Sequence, residues 1–391
     1  MNTQAMDRAL ESIVNRNDGR RLAGMGVAAI RGGKVVYQHS LGMRDFERNL
    51  PFEKDTRIRV ASVSKTFVVI GALRLRDMGL LDLDADVNNY LDFSLRNPKW
   101  PDTPITTRML MAHTSSLRDN DDYWLPIDGK TKDFFKTDKY YADEAPGYYC
   151  YCNLNFGILG AIIEKVSGEK FNHYTRRHIL EPMGIKGSFD VCDFDETEIQ
   201  KLSPVFNGDG NGGWKSAIDD YKGVCVPRNP DREAVLPGVN GSLYSPQGGL
   251  RANIPELIKL VEFFLADGKG IISPESVKEM MTPVWTYDGT NGDTDGGFEV
   301  CYGLAMRILV PDVPGNCLVR DRFLPYAGHT GSAYGMFSGY YVDKASGDGI
   351  IYICNGTECH TETPLSHGTF SQNWIWVEEL MDALYTHIFT A

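Results

Sequence analysis

Segments with the composition of β-strands stand at both ends of this chain, and a long stretch of helical periodicity separates them. Near the N-terminus, residues 25–30 and 34–38 flank Arg31-Gly32-Gly33, a glycine turn typical of a β-hairpin. Near the C-terminus, β-branched and aromatic residues concentrate in the runs 302–309, 317–319, 335–342 and 349–355. A single sheet built from these runs must bring the two ends of the chain together.

The residues between these ends repeat their apolar side chains at helical spacing. Helices are predicted over 66–78, 105–111, 154–166 and 171–180, and the third stops at Ser167-Gly168, a glycine C-cap signal. Further helices are predicted over 6–14, 254–264, 274–281 and 374–389. Residues 205–250 are rich in Gly, Asn, Asp and Pro, which predicts a long loop region.

This order of elements predicts an α+β fold. An antiparallel sheet flanked by terminal helices carries an inserted all-helical region. Residues 1–60 and 246–391 are assigned to the sheet region, and residues 61–245 to the helical region. We expect the two regions to form one domain with its functional site at their junction.

The charge balance restricts the partners. The chain has 40 Lys and Arg residues against 52 Asp and Glu, a net charge of −12, which disfavours nucleic acid and membranes because both need a positive surface. The first residues lack the pattern of a secretory signal, and no apolar run reaches the ~18–20 residues of a membrane span. We therefore expect a cytoplasmic protein whose 8 cysteines are free thiols.

Ser62-Val63-Ser64-Lys65 is a Ser-x-x-Lys sequence at the start of a predicted helix. Residues three apart share a face at a helix start, so Lys65 can reach the Ser62 hydroxyl, and the helix N-terminus favours a nearby oxyanion. A second such spacing, Ser167 to Lys170, lies in a polar turn between helices and is interpreted as accidental. The spacing alone is a weak signal, since about one occurrence is expected by chance.

Two further short sequences carry polar side chains at the borders of predicted elements. Tyr151-Cys152-Asn153 precedes the helix predicted from residue 154, although the crowding of Tyr148, Tyr149 and Tyr151 also allows simple aromatic packing. His329-Thr330-Gly331-Ser332 begins a strand-like stretch, where a structural histidine in a turn is the alternative. Neither sequence identifies a site by itself.

The order of the three motifs resembles that of the penicillin-recognising serine hydrolases, a family that includes class C β-lactamases, D-Ala-D-Ala carboxypeptidases, D-aminopeptidases and β-lactamase-like esterases. The resemblance extends over roughly residues 25–390. It is supported by further similar stretches at 79–84, 111–117, 180–185 and 248–250. It implies a β-lactamase/transpeptidase-like fold and catalysis through an acyl-enzyme.

The resemblance also implies roles for individual residues. Ser62 would be the nucleophile and Lys65 its base, which requires a neutral lysine and a strongly lowered pKa. Tyr151 would relay the proton, and the backbone N–H groups of Ser62 and Ser332 would form the oxyanion hole. The residues expected to contact substrate are Asn153, His329, Thr330 and Gly331. No cofactor and no metal are expected.

Three positions depart from the family pattern. Cys152 stands where Ser is usual, Ser116 stands where Gly is usual, and His329 replaces the lysine of the Lys-Thr-Gly version. A histidine with a pKa of about 6.5 is mostly neutral at pH 7 and begins to charge near pH 6. We therefore expect little β-lactamase activity at neutral pH and a rise in relative lactam turnover toward pH 6.

These observations predict a serine hydrolase acting on a small ester, an amide or a short peptide. An acyltransferase with the same acyl-enzyme, a β-lactamase and a receptor-like penicillin-binding protein are alternatives. The loops at 118–145, 205–247 and 284–300 are expected to select the substrate, and the oligomeric state stays open. Within the last loop, Asp288–Glu299 lacks the glycine and carboxylate spacing of a calcium loop and is interpreted as solvated.

Overall fold

The structure is a computed structural model that describes residues 1–120, 122–311, 313 and 315–390. The strands are β1 (Leu22–Arg31), β2 (Lys34–Asp45), β3 (Leu50–Pro51), β4 (Ile58–Arg59), β5 (Val205–Gly208), β6 (Trp214–Ile218), β7 (Arg251–Ala252), β8 (Trp285–Thr286), β9 (Cys301–Tyr302), β10 (Arg307–Ile308), β11 (Ala327–Ala333), β12 (Met336–Asp343) and β13 (Asp348–Thr357). The α-helices are α1 (Thr3–Val14), α2 (Ser64–Asp77), α3 (Thr107–Met111), α4 (Leu154–Ser167), α5 (Phe171–Thr175), α6 (Glu181–Met183), α7 (Glu196–Ile199), α8 (Pro230–Ala234), α9 (Ile254–Leu265), α10 (Pro274–Met280) and α11 (Ile375–Leu384).

The main sheet joins the two ends of the chain, as the sequence predicts. Its strands run in the order β3-β2-β1-β13-β12-β11-β10-β9-β8. The hairpin β1–β2 turns at Gly32 and Gly33, whose φ angles of +54° and +76° suit glycine. Strand β13 pairs antiparallel with β1, from Leu22 opposite Thr357 to Ile30 opposite Gly349.

Parts of the sheet differ from the prediction. The 205–250 stretch holds the β5–β6 hairpin, which joins the sheet where Asn207 pairs with Thr357 in parallel. The region between the two predicted sheet segments is therefore not entirely helical. Residues 317–319 form no strand, and only an isolated bridge links Val319 to Arg322. The run 302–309 divides into two short strands around a bend at Ala305, whose φ is +48°.

Apolar side chains cover both faces of the sheet. On one face, Val27 packs in a cluster with Leu10 of α1 and Leu380 of α11. On the opposite face, Ala28 belongs to the larger cluster that contains α2, α4 and α9. Successive strand residues point to opposite faces, so β1 contributes side chains to the apolar clusters on both faces of the sheet. Among the described residues, no helix combines the length and apolarity needed to cross a membrane.

A two-stranded sheet connects the main sheet region to the helices. Strand β4 pairs with β7, with Ile58 opposite Ala252 and Arg59 opposite Arg251. Immediately after β4, a 3₁₀ turn over Ala61–Val63 leads into α2. This turn lies where the sheet and the helical layer meet, and the predicted nucleophile Ser62 is its central residue.

Candidate active site

Strand β11 passes very close to the turn that carries Ser62. A Cβ placed on Gly331 would lie 2.7 Å from both the Ser62 amide nitrogen and the Val60 carbonyl oxygen. Only a glycine permits this approach without displacement of the backbone. Ala61 has a φ of +45°, so the turn itself is held in a conformation that L residues seldom adopt. The turn and β11 together fix the position of the serine.

Lys65 lies one helical turn beyond Ser62 and is completely buried. Its Nζ atom is 2.8 Å from Ser62 Oγ, 2.7 Å from Asn153 Oδ1 and 2.8 Å from the Gln247 carbonyl oxygen. Burial lowers the pKa of Lys65 to about 7, against the opposing charge of Asp119. The neutral amine can donate to the amide and carbonyl oxygens and accept the hydrogen of the serine hydroxyl.

Tyr151 lies on the other side of Ser62. Its ring stacks on His113 with centroids 4.2 Å apart, and Lys65 Nζ is 5.1 Å from its ring centroid. Burial raises the pKa of Tyr151 above its ordinary value, although a hydrogen bond from Ser62 favours the phenolate. The phenol is therefore neutral at pH 7, and Lys65 is the better base of the two.

His329 is buried in β11 and keeps a single neutral form. Its Nδ1 lies 2.5 Å from the Thr330 carbonyl oxygen, which can only accept, so Nδ1 carries the hydrogen. The Tyr302 hydroxyl donates to Nε2 at 2.9 Å. Burial, followed by the charge of Lys65, lowers the pKa of His329 to about 3. The sequence-based expectation that His329 charges near pH 6 is therefore wrong, because the ring is shielded from water.

The remaining predicted residues lie in the same cavity wall. The cavity has a volume of about 1710 Å³. Its wall contains the predicted site residues Ser62, Tyr151, Asn153, His329, Thr330, Gly331 and Ser332. Lys65 is enclosed directly beneath this wall. The structure thus brings together every residue that the sequence predicts for the site, and their catalytic roles stay predictions.

Asp119 organises the entrance of α4, and the sequence analysis did not identify it. Its carboxylate accepts hydrogen bonds from the backbone N–H groups of Asn153 and Leu154 at 2.8 and 2.9 Å. It also accepts from Asn153 Nδ2 at 2.8 Å, which turns Asn153 Oδ1 toward Lys65. The Cys152 thiol donates to the same carboxylate at 3.5 Å. An isolated loop aspartate gives no local pattern that could have revealed this role.

His113 supports the ring of Tyr151, and Ser116 holds the loop that follows it. The Cys152 N–H donates to His113 Nδ1 at 3.0 Å, which fixes the ring on which Tyr151 stacks. Ser116 has a φ of +63°, which explains why glycine is usual at this position. Its hydroxyl donates to the Glu144 carbonyl and holds the following loop. The departure from glycine is thus accommodated by a side-chain hydrogen bond.

Known proteins share this architecture. A family model described as Beta-lactamase matches residues 7–365. The chain is 28% identical over 366 residues to Esterase EstB of Burkholderia gladioli, with 86% of each protein covered. It is 31% identical over 241 residues to a D-aminopeptidase of Brucella anthropi, with 56% of this chain and 44% of that protein covered.

A solved structure gives the same fold. EstCE1, described as a hydrolase with promiscuous acyltransferase activity, superimposes with a TM-score of 0.72. Its sequence is 19% identical, and the match covers 98% of this chain and 99% of that one. The chain belongs to the beta-lactamase family and is a serine hydrolase of that family. The β-lactamase/transpeptidase-like fold predicted from the sequence is confirmed.

Proposed function

We propose that this protein hydrolyses small esters or amides through an acyl-enzyme on Ser62. The observation that carries the proposal is the position of Lys65, buried and 2.8 Å from Ser62 Oγ, with a pKa lowered to about 7. A serine hydroxyl is a weak nucleophile unless a neutral base lies beside it. Lys65 meets this requirement without any further group.

In acylation, the bond between Ser62 Oγ and the substrate carbonyl carbon forms while the serine proton passes to Lys65 Nζ. The developing oxyanion is held by the N–H groups of Ser62 and Ser332, where one such donor typically contributes ~3–4 kcal/mol. The bond to the leaving alcohol or amine then breaks. The neutral Tyr151 phenol donates its proton to that leaving group and is reprotonated from Lys65.

In deacylation, water attacks the ester carbonyl of the acyl-enzyme and gives a proton to Lys65. The acyl bond to Ser62 Oγ breaks, the carboxylic acid leaves, and the proton returns to the serine. Asn153 and His329 contact the substrate. The neutral His329 offers no fixed charge for a substrate carboxylate, which supports esters and amides over lactams.

The relatives support the same range of substrates. Esterase EstB covers most of this chain, and the D-aminopeptidase matches a little over half of it. A panel of p-nitrophenyl esters, D- and L-aminoacyl amides and one chromogenic cephalosporin tests the proposal. We expect turnover of an ester or amide that the Ser62→Ala variant loses. Preferential turnover of the cephalosporin would contradict it.

Intact-mass analysis identifies the nucleophile. A slow acylating agent should add one acyl group, and fragmentation of the labelled peptide should place it on Ser62, not on Ser64, Ser115 or Ser167. Ser64 and Ser115 serve as internal controls, because Ser64 Oγ accepts from the Leu250 N–H and Ser115 Oγ donates to Asn155. An adduct on either would refute the assignment. An added amine or alcohol that diverts product from acid to ester or amide would favour acyl transfer.

The location of the protein stays a prediction from the sequence. We propose that it acts in the cytoplasm on a small molecule or short peptide. Fractionation of the source cells, followed by immunoblotting, tests this, and recovery outside the cytoplasmic fraction would contradict it.

A further inference from the structure

Glu299 is a buried carboxyl group in the wall of the cavity that contains Ser62. It lies just before β9 and is 7% exposed. Its Oε2 atom has no hydrogen-bond partner among the described residues. A buried carboxylate without a partner costs free energy, so the group either takes up a proton or pairs with a cationic ligand.

Arg307 is the cation whose charge acts most strongly on Glu299, but its described contacts are with other residues. Arg307 stacks its guanidinium 3.8 Å from the Phe298 ring centroid and donates to the Tyr341 hydroxyl at 3.3 Å. Among the described residues, Arg307 and Glu299 form no ion pair, and Arg307 is not part of the cavity wall. Burial accordingly raises the pKa of Glu299 to about 7, and Arg307 opposes that rise only in part.

Most of the charged residues that line the mouth of the cavity are, like Glu299, acidic. Four more acidic residues line it: Asp122, Asp293, Asp295 and Glu362. In the described part of the chain, none of them pairs with a lysine or an arginine, and Glu362 contacts only His360. The lining arginine, Arg59, is held by both oxygens of Asp219. The cavity therefore presents uncompensated negative charge to its ligand.

Glu299 shares this cavity wall with Ser62, Tyr151 and His329. Burial raises the pKa of Tyr151, which contacts Ser62, and of Tyr302, which contacts His329, and the charge of Glu299 adds to both shifts. We propose that the substrate carries a protonated amine and that Glu299 binds this ammonium group while Ser62 attacks the neighbouring carbonyl. The proposal rests on the function proposed above and narrows its substrates to aminoacyl amides and esters.

A matched pair of substrates tests it. Alanine p-nitroanilide and isobutyryl p-nitroanilide differ by an ammonium in place of a methyl group. At neutral pH we expect the wild-type protein to prefer the alanine compound, in its D or L form, in kcat/KM. Glu299→Gln should reduce that preference about tenfold or more, because a charged hydrogen bond becomes a neutral one. An unchanged preference would overturn the proposal.

Glu362→Gln is the control for long-range attraction. It removes the same charge from the exposed rim of the same cavity and should change the preference much less than Glu299→Gln. If the two variants lost the preference for the alanine compound equally, Glu299 would not bind the ammonium group directly. A merely structural role would lower turnover of both anilides together and leave their ratio unchanged.

An inhibition measurement tests the ammonium site even when both anilides are hydrolysed too slowly to compare. Butylammonium should inhibit p-nitrophenyl butyrate hydrolysis competitively and better than butanol does. Glu299→Gln should raise the inhibition constant of butylammonium about tenfold and leave that of butanol nearly unaltered. Equal inhibition by the two compounds would reject the ammonium site while the Ser62-dependent hydrolysis stands. Absence of Ser62-dependent butyrate turnover would instead reject the proposed function and this inference together.

Discussion

Lys65 and the pair Arg59 and Arg251 are buried at the same junction, yet their surroundings differ. Asp219 lies between the two arginines and accepts from both, at 2.7 Å from Arg251 Nη2 and 3.2 Å from Arg59 Nη2. The guanidinium groups hold the pKa of Asp219 far below its usual range. Lys65 instead faces two neutral oxygens and a hydroxyl.

The difference shows how burial can stabilise structure in one place and create reactivity in another. A guanidinium stays charged and a carboxylate beside it stays ionised, so the first cluster joins β4, β7 and the segment after β6. An amine without a direct carboxylate partner loses its proton when buried. The same rule keeps Tyr151 and His329 neutral. The counter-charge, more than burial itself, decides which groups can move protons.

Replacing Lys65 by arginine gives the sharpest test of this comparison. Lys65→Arg keeps a positive donor but cannot become neutral, so kcat/KM for p-nitrophenyl butyrate should fall at least ~10³-fold. Lys65→Ala should lose at least ~10²-fold. Arg251→Lys is the control at the other cluster and should keep most of the activity. An active Lys65→Arg enzyme would mean that Lys65 is not the base.

Removing the negative charge of Asp219, which lies between Arg59 and Arg251, should destabilise the fold. Asp219→Asn leaves two buried guanidinium groups without compensation, so the free energy of unfolding should fall by about 3–5 kcal/mol. Urea denaturation measures this change. Glu262→Gln, which removes an exposed partner of Lys269, should leave the midpoint almost unaltered. If Asp219→Asn and Glu262→Gln had similar midpoints of urea denaturation, the structural role of Asp219 would be refuted.

Tyr151 extends the comparison to a buried acid. Tyr151→Phe removes the neutral phenol and should lower kcat/KM about 10²-fold for the amide substrate. Combined with Lys65→Ala, the loss should be smaller than the product of the two single losses, because both groups act on one proton path. Double-mutant kinetics decide this. Fully multiplicative losses would place the two residues in separate steps.

The acid limb of the pH profile reports the protonation of Lys65. Protonated Lys65 cannot accept the serine proton, so kcat/KM for a neutral ester should rise with pH up to about 7 and then level off. Glu299 has a similar pKa of about 7, so the profile should be repeated with Glu299→Gln. If the acid limb persists in the Glu299→Gln variant, it reports the protonation of Lys65. A flat profile from pH 5 to 8 would exclude a neutral-lysine base.

His329 is expected to give the smallest effect. His329→Lys should raise cephalosporin turnover relative to ester turnover by about tenfold or less, because a charged donor replaces a neutral one. The buried ring of the wild type stays neutral from pH 8 to 6, so this ratio should not rise through His329 over that range. A rise toward pH 6 that His329→Gln abolishes would show that the ring does titrate there.

Local pattern was sufficient to predict most of the fold. Apolar periodicity and glycine signals predict α2 and α4 within two residues and place the turn of the β1–β2 hairpin, but β2 continues seven residues beyond its predicted end. The β5–β6 hairpin escaped prediction because its exposed strand has little apolar alternation, and its pairing with β13 is a contact between distant residues. Residues 317–319 have strand composition but no partner strand, and composition alone forms no ladder.

The sequence by itself determined the chemistry available to this protein, because the spacing of Ser62 and Lys65 and the order of the three motifs are written in the chain. Only the tertiary structure decided the protonation of those groups. Asp119, Gln247 and Tyr302 reach the site from separate loops and strands, and their positions set the hydrogen bonds of Asn153, Lys65 and His329. A pKa depends on solvent and neighbouring charge in three dimensions, and local sequence specifies neither.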